Sequence, residues 1–218
     1  MGRDRGSKLT RLTNRLTRSF FNRPVLDVAP DLLGCVVRHS TTEGAVTVRL
    51  TEVEAYAGVG QDPASHAHRG RTAHNDTMFA EAGTLHVYFI YGMHWCANIT
   101  CQPEGQAAAV LLRAGEVVEG LSLARSRRPA ARGIVDLARG PARLAVALGI
   151  DGTMDGLDAC ARSTELRLHE GSAPPLPSIR SGPRVGVGGS GGPTPWRFWL
   201  DGEPSVSRWR AGRASAPR

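Results

Sequence analysis

From residue 45 to residue 56 the chain alternates between apolar and polar side chains. Val46, Val48 and Leu50 share one parity, and Thr47, Arg49 and Thr51 the other, which is the two-residue period of a strand with one buried face. Extended without a bulge, the apolar parity runs on through Glu52, Glu54 and Tyr56. A buried strand face that ends in carboxylates and a phenol delivers polar side chains to a pocket. This one segment therefore argues for a sheet and for a candidate site at its end.

Strand and turn signals continue on both sides of it. Residues 27–33 read as a short helix closed by Gly34, and residues 34–39 as a strand. Residues 84–91 and 95–101 read as a hairpin about Gly92-Met93-His94, and residues 107–114 as a further apolar strand. Helical spacing covers 116–127 and 141–148, the second with Pro141 in its first turn and Gly149 as its stop. Later strands are predicted at 165–169, 184–187 and 196–200. Residues 58–83 form a long loop-rich segment, while 172–178 and 182–195 are Pro/Gly-rich and expected to be mobile. There is no internal repeat. Helices inserted between antiparallel hairpins give an α+β class with a dominant antiparallel sheet. The organisation predicted is a basic arm over 1–18, one domain over 19–203 and a basic tail over 204–218.

Charge points to a polyanionic partner only weakly. The net charge is +7, but residues 1–23 carry +6 and residues 197–218 carry +3, leaving −2 for residues 24–196. Within the central part, Arg125, Arg127, Arg128, Arg132, Arg139 and Arg143 against Asp136 make a local run of +5, a pattern shared with ordinary solvated faces. A sharper fact is that 26 of the 27 basic residues are arginine and only Lys8 is lysine. Arginine stays protonated and cannot act as an amine nucleophile, so Schiff-base chemistry is disfavoured. Four scattered cysteines suit a reducing cytoplasm better than a disulfide framework. No run of about eighteen apolar residues is present and the first 23 residues lack a signal-peptide core, so no membrane association is expected.

Glu54 is the strongest candidate for chemistry. A carboxylate on a largely apolar face is costly to desolvate unless paired, and that environment suits a general base. A solvated strand-end glutamate would look the same locally. Tyr88 and Tyr91 have opposite parity, so a regular strand sends one phenol to each face. Asn98 lies inside a strand, where a buried amide needs partners that a ligand edge can supply. His66, His68 and His74, like Cys96 and Cys101, lack the tight paired spacing of a zinc site, so no metal is expected. Residues 186–192 lack the Gly-Lys-Ser/Thr ending of a phosphate loop.

Taken in order, several segments resemble the alkyladenine (3-methyladenine) DNA glycosylase family. They are Phe20-Phe21-Asn22-Arg23-Pro24, Glu52-Val53-Glu54-Ala55-Tyr56, Asp62-Pro63-Ala64-Ser65-His66 and Val87-Tyr88-Phe89-Ile90-Tyr91-Gly92-Met93. Val110-Leu111-Leu112-Arg113-Ala114, Gly140-Pro141-Ala142-Arg143-Leu144 and Arg184-Val185-Gly186-Val187 complete the set, which spans most of residues 20–200. The resemblance implies a single mixed domain with a barrel-like antiparallel sheet, no metal or cofactor, and damaged double-stranded DNA as partner. It implies a monomer without an obligate protein partner, in the cytoplasm and, in a bacterium, at the nucleoid.

It also implies roles for particular residues. Glu54 would activate water, while Tyr56, His66 and Tyr88 enclose the flipped base. Asn98 would exclude the 2-amino group of guanine, Arg113 would line the site, and Tyr91 would fill the gap in the stack. Arg125, Arg127, Arg128 and Arg143 are the candidates for the DNA backbone. The implied reaction is hydrolysis of alkylated or deaminated purines such as 3-methyladenine and hypoxanthine, leaving an abasic site without strand cleavage. Two departures stand out: Ala73 and His74 where the family commonly has Pro and Arg, and His86 in place of a frequent aromatic residue.

Overall fold

In a computed structural model, residues 14–171, 174 and 178–212 are described. Residues 1–13 of the predicted arm at 1–18, most of the loop at 172–178 and the last six residues lie outside the described residues. The chain opens with one helical turn, α1 (Arg18–Phe21), and a short helix, α2 (Val25–Asp31). Strands β1 (Val36–Thr41) and β2 (Gly44–Tyr56) follow, then β3 (Leu85–Ile90), β4 (His94–Thr100) and β5 (Ala109–Glu119). After α3 (Leu121–Arg127) and α4 (Pro141–Leu148) come β6 (Leu166–His169), β7 (Ile179–Gly182) and β8 (Arg197–Leu200).

The architecture is a single α+β domain built on one curled antiparallel sheet. Its order is β3-β4-β5-β2-β1-β6, with β8 pairing β2 and β7. β2 organises it: its first half pairs with β1, residues 52–54 pair with β8, and β5 runs along its other edge. Core side chains of β2 to β5 pack with Val28, Leu32 and Leu33 from α2 and its end, and with Leu144, Ala145 and Leu148 from α4. Gly149, at φ 76°, closes α4 as the sequence indicates. Among the described residues no helix is long and apolar enough to cross a membrane.

Three local expectations are corrected. Residues 116–119 do not begin a helix; they prolong β5, where Glu116, Val117 and Glu119 pair with Arg49, Val48 and Thr47. The cross-strand partner outweighs the helical spacing, and the helix starts only after Gly120, whose left-handed backbone leaves no room for a Cβ beside the Ala45 carbonyl. Residues 184–187 are not a strand. Arg184 is instead wholly buried, and it ties that loop, expected to be mobile, to the rest of the domain. The ends are also more structured than their charge suggests. Leu16 is buried and bonds Leu168, Ser205 is buried, and the Gly186 amide bonds the Arg210 carbonyl. Residues 14–18 and 204–212 therefore pack on the domain and are not free arm or tail.

Candidate active site

The apolar parity extends through Glu52, Glu54 and Tyr56 only on the condition of no bulge; a bulge is present, and it decides where the carboxylates point. The β2–β5 register shifts between Leu50 and Glu52 and again between Glu52 and Val53. Val46, Val48 and Leu50 enter the main core, and beyond the shift Val53, Ala55 and Ala57 do so. The core parity changes from even to odd, so Glu52, Glu54 and Tyr56 face away from that core. An extra residue in one strand re-aims every side chain after it.

Directly paired residues in neighbouring strands share a face, and the ladder assembles the site in a row. Glu54 pairs with Leu111, Leu111 with Asn98, and Asn98 with His86. Two residues along, Tyr56 pairs with Ala109; two residues the other way, on the far strand, Tyr88 pairs with Cys96. Arg113 lies on the same face of β5, two residues from Leu111.

Glu54 is completely buried and accepts on both oxygens. The Tyr56 hydroxyl donates to Oε2 at 2.9 Å and Arg113 Nη1 does so at 3.2 Å, while the Val185 amide donates to Oε1 at 2.7 Å. Glu52, equally buried, accepts from Arg113 Nε at 3.0 Å, Arg197 Nε at 2.6 Å and the Ser207 hydroxyl at 2.9 Å, all on Oε1. Its Oε2 takes the Ser207 amide at 2.7 Å. Among the described residues Glu52 thus meets four donors, three of them crowded on Oε1, whereas Glu54 meets three and its Oε1 keeps one of two lone-pair sites. Burial opposes the charge on Arg113, but Glu54 and Glu52 outweigh it and hold its pKa above the ordinary value.

Tyr56 is fixed from the other side. The Arg184 guanidinium lies 4.6 Å from its ring centre and grips Asp62 through two bonds of 2.6 and 2.7 Å. Asp62 also accepts the Ala57 and Ala64 amides, and Arg184 donates to the Ala55 carbonyl. Burial first, and then the Glu54 charge, raises the Tyr56 pKa well above the usual phenol, so the hydroxyl remains a donor. Neither Asp62 nor Arg184 had a role in the sequence reading; both occur in family-like segments, but nothing local marks them as partners 122 residues apart. Glu52 did share the parity of Glu54, and that was the available signal for it.

His66 comes from the long loop and meets Tyr88 edge-on, with ring centres 4.8 Å apart. Asn75 holds that loop by donating to the His66 and Gly70 carbonyls and accepting the Thr72 amide. Burial lowers the His66 pKa, which keeps the ring neutral near pH 7. Asn98 is buried and donates to the His86 carbonyl. His86 contacts the Asp155 carboxylate through Nδ1 at 3.2 Å, and its buried Nε2 has no hydrogen-bond partner among the described residues. Burial lowers its pKa against the pull of Asp155. Cys96, beneath Tyr88, is pushed up to about 11 by burial and is not a thiolate.

The other candidates lie apart from this row. Tyr91 stands at the β3–β4 turn, 79% exposed, with a left-handed backbone (φ 55°) that is uncommon for any residue but glycine. The extension of β5 carries α3 to the strand's far end, so Arg125, Arg127 and Arg128 begin about 25 Å along the strand from Leu111. Arg125 and Arg143 are exposed, but Arg143 and Arg128 both pair with Asp136. Arg127 corrects its expected role. It donates to the Ala147 and Leu148 carbonyls at the end of α4 and pairs with Glu43, so it caps a helix and is not a free cation for DNA.

A family profile described as Methylpurine-DNA glycosylase (MPG) matches residues 19–204. Curated relatives carry the name "Putative 3-methyladenine DNA glycosylase". One from Streptomyces avermitilis is 57% identical over 197 residues, covering 90% of this chain and 92% of its own. Another from Leifsonia xyli subsp. xyli is 52% identical, covering 91% and 94%, and one from Nocardia farcinica is 50% identical, covering 82% and 84%.

Proposed function

The chain belongs to the methylpurine-DNA glycosylase family, and on that premise we propose that Glu54 directs a water molecule at the sugar of an alkylated purine, 3-methyladenine among them, in double-stranded DNA. The carrying observation is the Glu54 carboxylate itself. Three donors hold it and one lone-pair direction is left, which suits a single water. The water oxygen attacks C1′, its proton passes to Glu54, and the electron pair of the N-glycosidic bond leaves with the purine. A buried carboxylate also stabilises the oxocarbenium character of the sugar as that bond breaks.

A base stacked in a duplex cannot reach such a site, so the lesion is extruded. Tyr56, His66 and Tyr88 enclose it, and Tyr91 enters the gap from its exposed turn. A neutral His66 adds no charge against a purine that alkylation has made cationic. Asn98 reads the base edge and rejects the guanine 2-amino group. Hypoxanthine, a neutral leaving group, is a slower substrate because it must be protonated first. With Lys8 the only lysine, the product is an abasic site on an uncut strand. Arg125 and Arg143 supply part of a salt-sensitive attraction for the backbone. The enzyme acts as a monomer without a metal or cofactor.

The test is single-turnover base release from a 3-methyladenine duplex by Glu54→Gln. Release is expected to fall by about 10²–10⁴ while lesion binding survives. Undiminished release removes Glu54 from this role, and borohydride trapping of the protein on DNA would overturn simple hydrolysis.

A further inference from the structure

The segment after residue 204 lies beyond the part of the chain matched by the family profile. It runs behind the site and reaches both groups that hold Glu54 from outside its own strand. On one side, the Ser207 hydroxyl donates to Glu52 Oε1 at 2.9 Å and accepts from Arg113 Nη2 at 3.3 Å. The Arg113 Nε and Nη1 atoms already bond Glu52 and Glu54, so Ser207 gives the third nitrogen a partner and fixes the plane of the guanidinium. On the other side, the Arg210 carbonyl accepts the Gly186 amide at 2.8 Å, one peptide from the Val185 amide that bonds Glu54 Oε1.

The segment is well anchored. Ser205 meets Thr51 at 2.9 Å, Arg139 donates to the Val206 carbonyl at 2.9 Å, and Arg197 donates to the Ser207 carbonyl at 3.0 Å. At Gly212 an added Cβ would fall 2.2 Å from the backbone of Val187, so the chain runs in direct contact with the 186–188 loop.

We infer that residues 205–210 are a positioning strap for the active-site carboxylate, with Ser207 as its working side chain. The strap's hydrogen bonds reach Glu52, Arg113 and the Gly186 amide, not Glu54 itself. It acts through Arg113 on one carboxylate oxygen and through the 185–186 peptides on the other. The inference rests on the reading of Glu54 as the group that directs water.

The test uses the full-length protein well below its melting temperature. Ser207→Ala removes the hydroxyl but keeps the backbone bonds; it should slow single-turnover release of 3-methyladenine roughly tenfold with duplex affinity within about twofold. Ser207→Thr keeps the hydroxyl and should restore at least about half the rate. An Ala variant as fast as the parent overturns the strap, as does a slow Ala variant that Thr does not rescue. Glu54→Gln is run beside them. If it retains release, the reading of Glu54 falls; if it loses release while Ser207→Ala does not, the strap alone falls.

Discussion

Glu52 and Glu54 leave the same strand two residues apart, on the same face and equally buried, yet their surroundings give them different capacities. At the Glu52 end, Arg113, Arg197 and both polar groups of Ser207 supply four donors, two of them from buried guanidinium groups. At the Glu54 end, the Tyr56 hydroxyl, Arg113 and the Val185 amide supply three, and one lone-pair site remains on Oε1. Desolvation cannot separate the two residues, because both are removed from water to the same degree. The number of donors does. A buried carboxylate held by four donors and two guanidinium groups ties structure together, and one held by three has more left to offer a reactant.

The comparison breaks most sharply with paired substitutions. Glu54→Gln should cost about 10²–10⁴ in base release with a melting temperature close to the parent's. Glu52→Ala should do the reverse in kind, lowering unfolding free energy by about 3–5 kcal/mol in denaturant titrations because Arg113 and Arg197 are left buried and uncompensated. A stable Glu52→Ala protein would show that this four-donor network does not hold the structure.

Arg113 sits between the two ends and bonds both. Arg113→Lys cannot serve Glu52, Glu54 and Ser207 together, so it should lose about 10–100-fold in release and about 1–3 kcal/mol of stability. Loss of one property without the other would mean that the two ends are not coupled through this side chain. Tyr56→Phe removes a single donor from Glu54 and keeps the ring; a fall of about 3–10-fold in single-turnover rate is expected, with lesion affinity nearly unchanged.

The smallest effect lies at the end of the row. Burial lowers the His86 pKa, so the unfolded chain takes up a proton before the folded one does. Stability from this group is complete above about pH 6.5 and declines as pH falls below it. His86→Phe should flatten that part of a stability–pH profile; an unchanged profile would show that His86 does not contribute.

Much of this was legible in the chain. The alternation in β2, the hairpin about Gly92, the Pro141 start and Gly149 stop of α4, and the family-like segments all depend on neighbours in sequence, where local chemistry is decisive. Less legible was whatever depended on a distant partner. Residues 116–119 have helical spacing but belong to a strand because Thr47, Val48 and Arg49 lie beside them. Arg127 looks like surface charge until α4 ends against it. Asp62 and Arg184 are unremarkable apart and become a buried clamp on Tyr56 only when the loops meet.

The sequence by itself determined that β2 is a strand, that it carries Glu52, Glu54 and Tyr56 on one parity, and that Lys8 is the only lysine of the chain. Only the tertiary structure decided which way that parity faces. A bulge between Leu50 and Val53 depends on how β5 and β8 pair with β2, not on the residues within β2. It turns the carboxylates away from the main core, and the donors that then reach them, from Arg113, Val185, Arg197 and Ser207, distinguish Glu52 from Glu54.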